Sequence, residues 1–397
     1  MKLPETDWQS RVELRRLLAV LGAGDGETRF VGGCVRDTLL GSPVSDVDLA
    51  TRLEPEAVLD RLKAAAIKAV PTGLAHGTVT AVIEGRPVEV TTLRRDVSTD
   101  GRRATIAYTG DWREDAARRD FTINALSADP GTRQVFDYFG GLADLDARRV
   151  RFIGDPLVRI AEDHLRILRF FRFHARFGAG DPDQPSVEAC TVRANDLMAL
   201  SRERIADELL KLLALPDPAP TVELMAARGI FEPVLPEIAG AEPLRRLVER
   251  ERDAGIAPDP LRRLAALLPP DPDIAEAVAN RLRLSKRALK RLVLAAGRAT
   301  DDPRRLAYRI GPEAAVDRLL LSDGPTEGLA DLQNWQPTRL PIGGGDLIVM
   351  GLEAGPVVAA TLQAVEREWA ESGFPAEREA VRAIARRHVD QALRSRQ

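Results

Sequence analysis

The chain has 397 residues, too many for one small core, so two to four domains are expected. With 44% hydrophobic and 29% charged residues it has an ordinary soluble globular balance, and a net charge of −3 excludes a chain that is cationic as a whole. Two cysteines, Cys34 and Cys190, are too few for a disulfide framework or a multi-cysteine zinc site. The opening MKLPETDWQS has no apolar signal segment, and no run of about 18 apolar residues occurs, so a cytoplasmic protein with no membrane span is expected.

In chain order, helical patterns at Trp8–Leu21, Val35–Leu40 and Pro55–Ala65 alternate with short β-rich stretches. The predicted strands are Arg29–Val31, Val47–Ala50, Thr78–Ile83, Val88–Leu93, Thr105–Tyr108 and Val135–Tyr138. Glu84-Gly85-Arg86-Pro87 joins two of them and favours a hairpin, so the sheet is at least partly antiparallel. After Arg151 the strand signals vanish. From Pro156 onward the chain reads as helix after helix, broken at Pro/Gly stretches such as Pro216–Pro220, Pro269–Pro272 and Pro341–Gly345.

Gly32 and Gly33 follow a short apolar strand and open a helix carrying Arg36 and Asp37. Taken alone they fit a tight strand–helix turn or a helix start where backbone N–H groups approach a phosphate. Asp46 and Asp48, placed on a strand, project to one face while Val47 and Leu49 point to the core. Two adjacent carboxylates repel unless a cation lies between them, and oxygen ligands suit Mg²⁺; the alternative is that both cap a turn or face water. Glu89, on the second hairpin strand, is either a third carboxylate of a metal site or a surface acid. Phosphate seat plus carboxylates together suit a nucleoside triphosphate, one Mg²⁺ bridging its phosphates and a second activating a hydroxyl. Further on, Arg281–Arg309 carries ten Lys or Arg against Asp301 and Asp302, an excess of about +8. It is either a solvated helical face or a polyanion-facing patch, with Arg281, Arg283, Lys286, Arg287, Lys290 and Arg291 in its denser half.

GGCVRDTLLGSPVSDVDLAT (Gly32–Thr51) resembles the first signature of polymerase-β-type nucleotidyltransferases, and within them the class II tRNA nucleotidyltransferase and poly(A) polymerase family. The resemblance continues in order through Pro71–Asp96, Asp100–Tyr108 (DGRRATIAY), Arg118–Asp129 (RRDFTINALSAD) and Phe136–Gly178. It implies an α+β nucleotidyltransferase head with a mixed or antiparallel sheet, followed by an all-α neck, body and tail; the ranges expected are 1–150, 151–215, 216–325 and 326–397. It implies ribose recognition in Arg118–Leu126, where Asp120 and Asn124, at i and i+4, share a face of an expected helix and Arg119 adds a phosphate or metal-side contact. It also implies base reading in Glu162–Arg166. Asp163 and Arg166, at i and i+3, offer an acceptor beside donors, matching the amine and ring nitrogen of cytosine and adenine but not guanine or uracil; out of context they read as a surface salt bridge. Arg169 continues that face toward the triphosphate, and Ile160, Ile167, Leu168 and Phe171 pack the other.

Arg94–Tyr108, with Asp100-Gly101-Arg102-Arg103, reads as a mobile loop at the mouth of the site, linked in the family to the switch from CTP to ATP. Ser201–Leu213 resembles the last core motif, an amphipathic helix buttressing the nucleotide site. In Leu340–Trp369, Gly351 and Gly355-Pro356 set a helix boundary and Asp346 caps a helix. With the basic segment these helices are expected to hold the acceptor and TΨC arms of tRNA. The activity so implied is template-independent addition of CCA to tRNA from CTP and ATP, with Mg²⁺ on Asp46 and Asp48 and Glu89 the candidate third carboxylate. A poly(A) polymerase or a CC-only or A-only enzyme is the alternative, and the oligomeric state stays open.

Overall fold

The computed structural model describes every residue except 101, 102, 299, 300, 327, 328, 330, 331, 333, 334, 337, 338 and 395–397; at 96–100 and 103–105 it describes the backbone alone. The chain separates into two compact units, Met1–Pro236 and Glu237–Gln397. The head and neck expected over 1–150 and 151–215 fall within the first unit, which also takes in the start of the expected body.

The first unit begins with α1 (Asp7–Ser10), α2 (Val12–Val20), β1 (Thr28–Val31), α3 (Gly33–Leu39), β2 (Asp48–Thr51) and α4 (Pro55–Ala64). The strands β3 (Lys68–Gly73), β4 (Thr78–Ile83), β5 (Arg86–Thr92), β6 (Arg94–Asp100) and β7 (Arg103–Tyr108) follow, then α5 (Trp112–Ala117), β8 (Ser127–Ala128), β9 (Val135–Phe136) and α6 (Gly141–Asp146). Seven strands form one sheet in the order β3-β4-β5-β2-β1-β8-β9, all neighbours antiparallel except β2 and β5. The mixed sheet of the expected head is therefore present. Its alternation is clean in β5, where Val88, Val90 and Thr92 are buried and Glu89 is exposed.

The β4–β5 connection is shorter than the four residues expected. Ile83 pairs with Arg86, leaving Glu84 and Gly85 as a two-residue turn with φ of 49° and 73°. Positive φ at both positions is the hairpin geometry whose twist matches the strands, and glycine adopts it without steric cost. Three strands escape the sequence pattern: β8 is only two residues long, and the other two have physical reasons. β3 is a largely exposed edge strand holding Pro71, so it lacks both alternation and an uninterrupted ladder. β6 is rich in charge and pairs only with β7, in a separate two-stranded ladder. The loop expected over Arg94–Tyr108 is instead this antiparallel pair, because its residues complete a ladder of their own; Gly101 and Arg102 lie outside the described residues.

Helices then take over: α7 (Pro156–Glu162), α8 (Arg166–Phe177), α9 (Gln184–Val192), α10 (Arg202–Leu213) and α11 (Ala219–Ala227). The expected helix through Glu162–Arg169 is broken at Asp163, whose backbone is extended (φ −153°, ψ 107°). Its Oδ1 accepts from Leu165 N–H at 3.1 Å and its carbonyl from Arg166 N–H at 3.0 Å, a local turn that Asp forms readily and that restarts the helix. Below the turn, α8 buries Ile167, Leu168, Phe170, Phe171, Phe173 and Phe177. Phe121 sits on this layer with ring centroids 5.0 Å from Phe152 and 5.1 Å from Phe173.

In the second unit lie α12 (Glu242–Asp253), α13 (Pro260–Leu267), α14 (Pro272–Arg281), α15 (Lys286–Ala296), α16 (Pro303–Ile310) and α17 (Pro312–Leu320), then Gly344–Val349, Pro356–Glu371 and Arg378–Arg394. Asp259, Asp271 and Asp302 each precede a proline at the first helical position and accept backbone N–H groups of the first turn, so Asp-Pro marks three of these starts. Asp346 also caps as expected, accepting from Gly343 N–H at 2.9 Å. A buried ionic network ties four helices together. Glu251 accepts from Arg262 at 2.8 Å and Arg263 at 2.9 Å, while Asp317 accepts from Arg262 at 2.9 Å and Arg291 at 2.6 Å. No described helix is long and apolar enough to cross a membrane.

Candidate active site

The turn between β1 and α3 opens the site. Gly32 has φ 69°, a backbone conformation that favours glycine; a Cβ there would lie 2.9 Å from Arg119 Nη1, the movable end of that side chain, so the backbone carries the requirement. From this turn a cleft of about 450 Å³ extends toward α8. Its wall contains Gly32, Gly33, Arg36, Asp48, Arg119 and Asp120, together with Asn124, Asp163, Arg166 and Arg169. Every residue the sequence marks for nucleotide binding thus lines one cleft of the first unit, of a volume suited to a small-molecule ligand. Phe173 lines it too and is missed by the sequence motifs. Its spacing, seven after Arg166 and four after Arg169, places it on the same helical face and is the signal that identifies it.

The carboxylates take two kinds of place. Asp48 opens β2 and is paired in parallel register with Glu89 of β5, so the two project from adjacent positions on one face. Asp46 is not on the strand as expected. It precedes β2 in an exposed segment and accepts from Ser45 Oγ at 2.8 Å, although burial of Val47 between the two aspartates preserves the predicted alternation. Neither Asp46 nor Glu89 lines the cleft wall itself. Burial pushes the Asp48 carboxyl up, Glu89 and Asp46 push it further, and Arg119 opposes them, leaving it at about 6. A half-buried carboxylate with two others near it is a setting that a cation relieves. Among the described residues no three His, Cys, Asp or Glu side chains are gathered to hold an ion by themselves. Small hard dications tolerate that, since they bind through one or two carboxylates and complete their shell with water and substrate phosphates.

Asp120 and Asn124 do not share an α-helical face. α5 ends at Ala117, Asp120 follows in a turn, and Asn124 closes a 3₁₀ turn at Thr122–Asn124. The two side chains still meet, Asn124 Nδ2 donating to Asp120 Oδ1 at 3.0 Å, while Arg36 donates to Asn124 Oδ1. Arg169 does not stand free for a triphosphate; it donates to Asp120 Oδ2 at 2.9 Å and lies 3.6 Å from Glu208. Burial pushes the Asp120 carboxyl up, but Arg169 and the hydrogen bonds from Asn124 and Phe121 N–H pull it below its ordinary range. Thr122 is held from below by the fully buried Asp144, which also takes Arg149 and Arg151.

Asp163 and Arg166 flank the cleft without pairing through their side chains, because the turn at 163–165 separates them. Asp163 Oδ2 accepts from Arg204 of α10 at 2.7 Å. Arg166 instead pairs with Glu162 and donates to the carbonyl oxygens of Arg159 at 2.9 Å and Arg118 at 3.3 Å. His164 and Cys34 do not line the cleft. Burial pushes the Cys34 thiol to about 12, against backbone hydrogen bonds that lower it, which fits a packing residue rather than a nucleophile.

In the second unit the basic segment divides. Arg281 is held by Glu237 at 2.8 Å, and Arg291 by Asp317, Asp259 and Glu313, so both are committed to internal ion pairs. Arg283, Lys286, Arg287 and Lys290 are exposed around the start of α15, where Arg287 lies 3.4 Å from Glu313.

Comparison with known proteins places these features. The chain matches the family descriptions "Poly A polymerase head domain" over residues 28–151 and "Probable RNA and SrmB- binding site of polymerase A" over 182–241. It is 35% identical to the mouse (Mus musculus) mitochondrial CCA tRNA nucleotidyltransferase 1, covering 96% of this chain and 91% of that protein. It is 32% identical to the CCA-adding enzyme of Streptococcus sanguinis, covering 92% and 95%. Among solved structures, the Bacillus stearothermophilus CCA-adding enzyme in complex with CTP superposes with a TM-score of 0.74 at 27% identity, over 96% of this chain and 99% of that one. The sequence match over nearly the whole of these relatives, on a fold shared with the solved enzyme, shows that the chain belongs to the CCA-adding tRNA nucleotidyltransferase family.

Proposed function

We propose that this protein adds C, C and A to the 3′ end of tRNA without a nucleic-acid template, using CTP and ATP. The observation that carries the reading is that one cleft gathers all nine sequence-marked nucleotide-binding residues beside Asp48, in a family member aligned along its length. The 3′-hydroxyl of tRNA attacks the α-phosphate of the bound nucleotide, the P–O bond to the β-phosphate breaks, and pyrophosphate leaves. Enzymes of this kind depend on divalent metal. The hard oxygen donors Asp46 and Asp48, with Glu89 in register beside Asp48, fit Mg²⁺. When bound, the ion supplies charge neutralisation at the phosphate and a lower pKa for the attacking hydroxyl.

The remaining work falls to side chains that orient the nucleotide. Gly32 keeps the backbone open for the phosphates, and the guanidinium groups of Arg36 and Arg119 add positive charge beside them. The Asn124–Asp120–Arg169 chain presents a fixed polar edge to the sugar. Asp163 and Arg166 read the base: an acceptor and a donor on opposite pairings fit cytosine and adenine, while guanine and uracil place like groups against them. On the second unit, Arg283, Lys286, Arg287 and Lys290 supply phosphate contacts to tRNA. The test is incubation of the purified protein with tRNA lacking CCA and each labelled nucleotide separately. CTP alone is expected to be incorporated, and ATP only after two C residues. Absence of CTP incorporation overturns the reading in favour of an A-adding or poly(A)-forming relative.

A further inference from the structure

The side chains expected to read the base are each held by a residue outside the pair. Asp163 Oδ1 accepts from Leu165 N–H at 3.1 Å and Oδ2 from Arg204 at 2.7 Å. Arg166 is turned onto Glu162 and two backbone carbonyls. We propose that Arg204 of α10 is a positioning residue for nucleotide selection, fixing the Asp163 carboxylate as an acceptor for the exocyclic amine of cytosine or adenine. The proposal rests on the reading of function above and on Asp163 as a base reader.

Three observations carry it. First, a carboxylate has two oxygens and about four acceptor positions, so two anchors fix its plane and still leave lone pairs for an amine. Leu165 N–H alone fixes one oxygen; Arg204 fixes the other. Second, Asp163 and Arg166 lie three residues apart on the same cleft wall. Were they to pair, acceptor and donor would be spent on each other and the base would meet a neutralised surface. Arg204 on one side and Glu162 on the other keep them apart and both charged. Third, α10 is itself anchored on the same wall one turn further along. Glu208, with a side chain 4% exposed, holds Arg172 at 2.5 Å and lies 3.6 Å from Arg169, whose own partner is Asp120. Arg204 therefore rises from a helix fixed to the sugar side of the cleft, and the position it imposes on Asp163 is set relative to the rest of the nucleotide site.

Rejection of uracil and guanine depends on a keto oxygen being forced against a carboxylate that cannot turn aside. Without Arg204 the carboxylate keeps one anchor, rotates toward Arg166 or water, and no longer enforces that repulsion. The experiment compares kcat/KM for CTP and UTP on tRNA lacking CCA, using full-length wild type, Arg204→Ala, Arg204→Lys, Asp163→Ala and the Arg204→Ala/Asp163→Ala double variant. The CTP/UTP ratio is expected to fall about tenfold or more in Arg204→Ala, the scale of one lost charged hydrogen bond. In the Asp163→Ala background the same change is expected to leave the ratio where Asp163→Ala alone puts it. Equal loss for CTP and UTP would reduce Arg204 to a purely structural role and overturn the proposal, as would a further fall in the double variant. Should Arg204→Ala fail to fold, as a melting curve would reveal, Arg204→Lys decides: its single donor is expected to lower the ratio partially, and an unchanged ratio overturns the proposal. Failure of wild type to use CTP would instead refute the functional reading.

Discussion

At the scale of single residues, the site is a set of charges each held by a named partner, and Asp115 shows how deep that arrangement goes. It lies beneath Arg119 with a side chain 4% exposed, takes Arg118 at 2.8 Å, stands 3.5 Å from Arg119, and accepts from Arg94 N–H at 3.3 Å. Burial pushes its carboxyl up, but Arg118, Arg119 and the hydrogen bonds outweigh burial and hold it below its ordinary value. A carboxyl whose folded pKa is depressed stabilises the fold above its unfolded pKa of about 3.9 and loses that contribution as pH falls through the folded value. Asp115→Asn is therefore expected to be less stable than wild type near neutrality, with the difference shrinking below about pH 4. Denaturant unfolding at several pH values checks this, and a pH-independent difference contradicts it. Motifs mark Asp48, Asp120 and Asp163 as site residues; Asp144 and Arg204 lie within motif stretches but are not singled out, and Asp115 lies outside them. Asp144 and Arg204 meet Thr122 and Asp163 only through the fold, 22 and 41 residues away in sequence, whereas Asp115 meets Arg118 and Arg119 at i+3 and i+4 but carries no motif of its own.

At the scale of elements, legibility follows the clarity of the local pattern. The β4–β5 hairpin and α3 are legible from alternation and glycines, whereas β3 is hidden by Pro71 and edge exposure. The expected i,i+3 and i,i+4 pairs at 163/166 and 120/124 fail as helical pairs because turns intervene, yet the residues converge on the same cleft. Convergence depends on the aromatic layer under α8. Phe121, fully buried between Asp120 and Thr122 in sequence, packs against Phe152, Phe170 and Phe173. Phe121→Ala is expected to cost about 3–5 kcal/mol, whereas Phe121→Leu, which leaves less space, costs less. Chemical denaturation measures both; a loss of under about 1 kcal/mol for Phe121→Ala would mean that this layer does not carry the site.

At the scale of the whole molecule, each unit has its own core and its own kind of charge. The first concentrates arginines and carboxylates around a nucleotide-sized cleft; the second buries an ionic network and exposes basic side chains around the start of α15. The charge run is legible as a run, but its division into internal and exposed members is not, because Glu237, Asp259, Glu313 and Asp317 lie in other parts of the sequence. Lys286→Ala and Lys290→Ala together are expected to weaken tRNA binding and to flatten the dependence of log affinity on log salt. The slope should fall by about 0.7–0.9 for each phosphate that is no longer neutralised. Arg291→Ala is expected to act first on stability, since it leaves Asp317 short of a partner in a buried network. A salt slope unchanged in the double lysine variant contradicts the phosphate role.

The central claim is that a protein cleft, rather than a template strand, dictates three successive additions and then stops. Its most direct test is to sequence the 3′ ends formed on tRNA lacking CCA when all four nucleotides are supplied together. Products ending in CCA and no longer, with U and G absent, are the predicted result; extended A-tails, or ends that stop at CC or acquire U and G, would contradict it.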